Sequence, residues 1–182
     1  WHYSDNSYRN GWYKSASQVI SMLVDSVSKN GSLLLSVPVR GDGSIDEKEL
    51  AILHDIKAWM DVNGTSIYAT RPWKTFGEGP SAENAKPLHA QGFNENNNYS
   101  AQDVRFVQRN DTVFATIMRW PEERTYAIRS LGTASPYIDS EVKSVELLGY
   151  GAIPFTNKEE GLIITLPKEY INAIAPVLAV AF

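Results

Sequence analysis

Hydrophobic residues in this chain change their spacing once, near Trp73, and the change divides what each half can become. Before Trp73, apolar residues recur at intervals of three and four, the period of one helical face. After it, short apolar runs sit between turn residues, the pattern of strands. Two kinds of secondary structure must therefore follow one another along the chain.

In the first half, Ser15 and Gln18 are spaced as a capping box, in which hydroxyl and amide satisfy free backbone N–H groups at a helix start. Val19, Ile20, Leu23, Val24 and Val27 then share one face, and Asn30-Gly31 supplies a left-handed stop. Asp46 and Glu49 open a second helix in the same way. Leu50, Leu53, Ile56, Trp59 and Met60 form its stripe, and Asn63-Gly64 ends it. Between the two, Leu33-Leu34-Leu35-Ser36-Val37 predicts a strand buried on both faces, as in a parallel sheet. Helix, buried strand, helix is the order of an α/β barrel or a doubly wound sheet, and the stripes find no partner sheet within the chain. Residues 1–13 are polar and aromatic without a period and read as a long loop.

In the second half, residues 74–99 are rich in Gly, Pro, Asn and Lys and read as an exposed crossing segment. Strands are predicted at 104–108, 112–120, 125–130, 142–148, 162–166 and 177–182, with turn residues between them. Short strands at this spacing predict an antiparallel β-sandwich. The fold class is thus α/β followed by all-β, with a boundary at residues 73 and 74.

Composition narrows the function classes. With 43% hydrophobic residues in 182, the chain has enough apolar material for a core. A net charge of −4 without any run of Lys or Arg argues against a nucleic-acid partner. No apolar run approaches the length of a membrane helix. The absence of cysteine excludes disulfides, thiolate metal sites and a cysteine nucleophile. The sequence opens on Trp1 with neither Met nor an apolar leader, so any signal peptide would lie outside it.

Several chemistry-bearing patterns have ordinary readings. Gly41 to Leu50 imitates the second half of a calcium-binding EF-hand, but the register places Pro38 and Arg40 at two ligand positions. A turn running into a capped helix is the better reading. His2, His54 and His89 are scattered and form no zinc-binding pair. No G-x-S-x-G elbow is present. The runs Asp46-Glu47, Glu122-Glu123 and Glu159-Glu160 read as solvated turn charge, since a glycosidase needs two carboxylates facing each other across a bond. Four glycosylation-type sequons occur, at Asn30, Asn63, Asn98 and Asn110, of which Asn30 and Asn63 read as helix stops. The aromatic loop holding Trp1, His2, Tyr3, Tyr8, Trp12 and Tyr13 stands apart, because aromatic faces stack on the C–H faces of sugars. For Trp1, stacking and packing both stay open; Trp12 reads as packing.

Together these pieces resemble family 29 of the glycoside hydrolases, the α-L-fucosidases. Trp1-His2-Tyr3 is similar to that family's aromatic-Gly-Tyr segment. Val27 to Pro38, followed by Gly41-Asp42-Gly43-Ser44-Ile45, is similar to its "VSKGGNLLLNVGP…DG.I". Trp59, then Asn63 to Trp73, is similar to its "W…NGEAIYGTRPW". The likeness covers residues 1–73 nearly continuously. His2 in place of Gly, Ser36 in place of Asn, and Val37-Pro38 at the Gly-Pro step mark a divergent subgroup and leave linkage preference open.

The resemblance implies that residues 1–73 are the last helix–strand–helix elements of a (β/α)8-like catalytic barrel and that 74–182 are the C-terminal β-sandwich. It implies a retaining mechanism on terminal α-L-fucose of a fucosylated glycan, without metal or other cofactor. The nucleophile and acid/base would lie upstream, leaving no catalytic residue in this chain and making the rest of the barrel its partner. Trp1 is the one substrate-binding residue carried over, and a loop feeding a barrel helix lies on the catalytic face. The family implies a secreted, periplasmic or lysosomal location. The alternative is a non-catalytic sandwich that binds carbohydrate, with Trp120 and Tyr150 as stacking candidates, or that acts as a structural buttress.

Overall fold

The computed structural model describes residues 3–84, 98–170 and 174–182. Trp1, His2 and His89 lie outside the described residues, as does half of the predicted crossing segment, residues 85–97.

The first element departs from the sequence reading. Within the expected loop, Asp5–Asn10 forms a short helix, α1, capped by Ser4 and closed by Gly11 in the left-handed conformation (φ 65°). None of its residues is buried, so no apolar period announced it. Helix α2 spans Ala16–Ser28, and the Ser15–Gln18 capping box is complete in both directions. Its end is a Schellman motif. Asn30 takes φ 63°, Gly31 N–H donates to Ser26 O at 2.8 Å, and Asn30 N–H donates to Val27 O at 3.1 Å. Helix α3 spans Glu47–Asn63 with Asp46 as cap. Gly64 stays right-handed and leads into a 3₁₀ turn, Gly64–Ser66.

Two expectations for this half are corrected. Residues 33–37 form no strand: they pair with no other strand among the described residues, and Leu34 is 97% exposed. A strand needs neighbours for its N–H and C=O groups, and an apolar run cannot supply them by itself. The α3 stripe is also only partly realised, with Trp59 fully buried but Leu50 exposed.

The second half is a sandwich of two antiparallel sheets. Strands β1 (Arg71–Glu78), β2 (Val104–Arg109), β3 (Thr112–Ile117), β5 (Ser144–Leu147), β6 (Gly151–Ala152) and β9 (Val177–Ala181) form the larger sheet, in the order β1-β2-β3-β9-β5-β6. Strands β4 (Thr125–Ile128), β7 (Phe155–Lys158) and β8 (Gly161–Thr165) form the smaller, in the order β4-β8-β7. The six predicted strands are all present, most of them shorter than expected. β1, β6 and β7 were not predicted. β1 contains Pro72 and bulges between Pro72 and Gly77, which an edge strand tolerates and a central one would not. It ends where Gly79 takes φ 96°; a Cβ there would lie 2.2 Å from Gln102 O.

The larger sheet is buried on both faces. On one, Phe106, Val113, Ile117, Leu178 and Val180 meet Ile128, Leu162 and Ile164 of the smaller sheet. On the other, Val107, Phe114, Met118 and Val177 meet Ala16, Ile20 and Val24 of α2, together with Trp59 of α3. The helical stripe therefore does have a partner sheet within the chain, contrary to the sequence reading. Two buried faces also explain why β2 and β3 are nearly continuous in apolar burial rather than alternating.

Candidate functional site

The aromatic residues of the amino-terminal segment come together where α1 crosses the start of α3. Tyr3, Ser4, Ser7, Trp12, Tyr13 and Pro38 line a cavity of about 430 Å³. Trp12 is 67% exposed, so it does not pack the segment onto the domain as its composition suggested. Trp1, the predicted sugar-contacting residue, lies outside the described residues.

What holds this cluster is polar. The Tyr8 hydroxyl donates to Glu47 Oε1, and Arg40 Nη2 donates to Glu47 Oε2 at 3.1 Å. Lys48 Nζ donates to the Tyr8 carbonyl at 2.5 Å and lies 4.5 Å from the centre of the Tyr8 ring. Arg40 faces the rings of both Tyr3 and Tyr8 at 5.7 Å. The Tyr13 hydroxyl donates to Asp46 Oδ2 at 2.8 Å, while Asp46 Oδ1 accepts from the N–H groups of Lys48 and Glu49, each at 2.9 Å.

These bonds set the acid–base character of the cluster. The Tyr8 hydrogen bond, followed by a backbone N–H and Arg40, lowers Glu47 to about 2. The same hydrogen bond raises Tyr8. Burial, then the bond to Asp46, raises Tyr13 well above the phenol range. Glu47 is thus an anion at physiological pH and cannot donate a proton, and all four oxygens of Asp46 and Glu47 have partners. Asp46 is fully buried as a helix cap, which corrects its reading as solvated turn charge. Glu122, Glu123, Glu159 and Glu160 are exposed, as expected of turn charge. The arrangement offers aromatic walls and hydroxyls for binding, while the carboxylates of Asp46 and Glu47 are held in structural bonds. Sequence reasoning found the rings but missed Arg40, Glu47 and Lys48, because more than thirty residues separate them from Tyr8.

Other candidates resolve simply. The loop 38–46 closes on itself: Arg40 N–H donates to Ser44 O at 2.8 Å, and Asp42 Oδ1 accepts from both the N–H and the hydroxyl of Ser44. It is a turn entering a capped helix. Among the described residues no three His, Asp or Glu side chains are grouped so as to hold a metal ion. No helix among them is long and apolar enough to cross a membrane. Asn63 is fully buried and donates to Trp59 O, so its sequon is inaccessible in the folded chain. Trp120 stacks on Tyr170 at 5.3 Å with 12° between the rings, while Tyr150 is exposed.

Comparison with known proteins bears on both halves. Residues 1–65 match the family profile described as alpha-L-fucosidase. Residues 96–181 match the profile of the alpha-L-fucosidase C-terminal domain, in the same order along the chain. The chain belongs to the α-L-fucosidase family.

Within that family, the human tissue alpha-L-fucosidase is 28% identical over 153 residues, 84% of this chain and 28% of that protein. The bovine tissue alpha-L-fucosidase is 32% identical over 155 residues, 84% of this chain and 27% of that protein. The chain thus spans little more than a quarter of these α-L-fucosidases. Among solved structures, Thermotoga maritima alpha-fucosidase in complex with a mechanism-based inhibitor aligns with a TM-score of 0.67 at 24% identity, covering 93% of this chain and 34% of that one. Alpha-L-fucosidase isoenzyme 1 from Paenibacillus thiaminolyticus aligns at 0.65 and 22%, covering 93% and 35%. These alignments support the fold of the sandwich and its attached helices.

Proposed function

We propose that this chain forms the closing elements of a (β/α)8-like catalytic barrel and its C-terminal sandwich, in a retaining enzyme that hydrolyses terminal α-L-fucose from glycans. The boundary read at residues 73 and 74 moves to the start of β1 at Arg71, which pairs with β2 in the sandwich. The observation that carries the reading is the tandem match to the α-L-fucosidase profile and then to its C-terminal domain. The unpaired segment 33–37 supports it, since an apolar run with Leu34 97% exposed is what a barrel strand looks like without its neighbours. The sandwich acts as a buttress: its larger sheet carries α2 and Trp59 on its outer face.

Retaining hydrolysis needs a carboxylate nucleophile and a second carboxyl group about 5–5.5 Å from it. Asp46 and Glu47, beside the aromatic cavity, are committed to the cap and to Tyr8, Tyr13 and Arg40. This supports a nucleophile and an acid/base located amino-terminal to Trp1, supplied by the remainder of the barrel. Trp1 would stack on the fucose ring, with the fucosylated glycan as substrate and no cofactor. A secreted, periplasmic or lysosomal location is part of the same proposal and rests on the family resemblance.

The test compares hydrolysis of an aryl α-L-fucoside by three proteins: this chain, a longer protein that includes the preceding barrel sequence, and that protein with Trp1→Ala. The chain alone should give no turnover, and Trp1→Ala should lower kcat/KM about ten-fold, the loss expected for one aromatic contact. Turnover by the chain alone would overturn the upstream assignment. Unchanged kinetics in Trp1→Ala would remove Trp1 from the site.

A further inference from the structure

A second cleft opens on the sandwich, and none of its lining residues belongs to the cavity of the aromatic cluster at α1. We infer that this cleft, between the start of β1 and the loop leading into β5, is a binding site for a neutral saccharide.

Its volume is about 450 Å³, within the range of roughly 300–1,000 Å³ in which small-molecule sites fall. The apolar wall is aromatic: Trp73 and Tyr137 are clasped with ring centres 5.7 Å apart and planes at 59°, and Phe182 closes one side. Trp73 is itself anchored against Phe106 at 5.1 Å, so the wall is preorganised by the core. The frame is fixed by backbone bonds, Phe182 N–H to Asp111 O at 3.0 Å and Lys143 N–H to Ala181 O at 2.8 Å.

Around this wall stand Gln108, Asn110, Asp111 and Lys143, whose side chains have no hydrogen-bond or ion-pair partner among the described residues. Lys74 and Asp139 pair with each other across the mouth. The chemistry selects the ligand class. The charges on the lining balance, two lysines against two aspartates, which gives no preference for an anion or a cation. An apolar ligand would strip water from four polar side chains and return nothing. A sugar ring meets both demands, with a C–H face for the aromatic wall and hydroxyls that donate to Asp111 and accept from Lys143, Gln108 and Asn110. The site differs from the Trp120 and Tyr150 surface considered from sequence, since one face of Trp120 is covered by Tyr170. It does not depend on the catalytic proposal, because it requires only binding by this chain.

The experiment titrates the isotope-labelled 182-residue chain with lactose, 2′-fucosyllactose and cellobiose and follows backbone amide shifts. At least one sugar should give saturable shifts of millimolar affinity centred on Lys74, Asn110, Asp111 and Tyr137. Ser140→Trp fills the cleft from an exposed position and should abolish saturation without changing the melting temperature. Tyr137→Leu should weaken binding several-fold, and Tyr150→Ala should leave it unchanged. If Tyr137→Leu fails to fold, Ser140→Trp decides. No saturable shift with any of the three sugars, shifts centred on Tyr150 or on Trp12, or binding that survives Ser140→Trp would each overturn the inference.

Discussion

Arg105 Nε donates to Asp25 Oδ1 at 2.6 Å, joining strand β2 to helix α2 across 80 residues of sequence. The Arg105 side chain is 1% exposed and Asp25 14%. The guanidinium also donates to Ser81 Oγ at 2.7 Å and to Val104 O at 3.1 Å, and lies 5.4 Å from the centre of the Phe76 ring and 5.2 Å from that of Tyr99. It is a buried polar fastening between the helical layer and the sandwich, alongside the bonds from Trp59 to Ala175 and from Arg119 to Ser21.

Removing one member of this pair should cost more than removing both. Asp25→Ala leaves a buried guanidinium without its carboxylate, a loss of about 3–5 kcal/mol. The double variant Asp25→Leu with Arg105→Met should recover most of that. Urea denaturation of the two single variants and the double variant measures the coupling, and strictly additive losses would show that the pair is not a unit.

The carboxylates predict opposite pH dependences. Burial pushes Asp25 up, but hydrogen bonds and charge from Lys29 and Arg105 outweigh it and hold the group below its ordinary value. Asp103 is likewise held low against burial by bonds from Ser100 and Ser81. Their stabilising contribution is present above about pH 4 and is lost as the pH falls through the depressed native values. Glu49 has the reverse sign, because burial, then the Asp46 charge, raises it. The native state then holds its proton more tightly, and stability falls as pH rises from the ordinary glutamate value through the raised one. Glu49→Gln should therefore be more stable than the parent chain at neutral pH, with the gap closing below about pH 4. Denaturation midpoints measured across that range would expose an error as a gap of constant size.

Asp46 should be the costliest single cap to lose. One oxygen accepts two α3 N–H groups, and the other accepts the Tyr13 hydroxyl in a fully buried position. Asp46→Ala should cost about 2 kcal/mol, the upper end for a cap, and Asp46→Asn distinctly less. Amide exchange in the first turn of α3 should accelerate in Asp46→Ala. Unchanged exchange there would show that the cap contributes little.

Residues 1–73 should not fold without the sandwich. Ile20 and Trp59 are completely buried, in a cluster shared with Val107, Phe114, Met118 and Val177. Trp59 Nε1 also donates to Ala175 O at 3.1 Å. Stripped of the sheet, each such side chain forfeits about 1.5–3 kcal/mol of burial. Circular dichroism of the isolated segment should show no cooperative melt, whereas a sharp transition would refute the dependence. In the whole chain, Ile20→Ala should cost about 2–5 kcal/mol.

Local signals in the sequence determined what local physics controls. The Ser15–Gln18 capping box, the Asn30-Gly31 stop and the Asp46 cap each act within a few residues, and all three appear in the structure. The six strands from Val104 onward could be read because their apolar runs lie between turn residues. The aromatic cluster at Tyr3, Tyr8 and Tyr13 was visible as composition, although its clamp of Arg40, Glu47 and Lys48 was not. Tertiary structure alone decided the remainder. Whether 33–37 becomes a strand depends on neighbours distant in sequence, and none pairs with it among the described residues. β1 becomes one despite Pro72 and Gly77 because β2 supplies its ladder. The α2 stripe announces a partner without saying which, and the outer face of the larger sheet takes that place. Backbone hydrogen bonds and apolar burial between distant segments leave no periodic mark in the sequence, since each segment records only that it needs a partner.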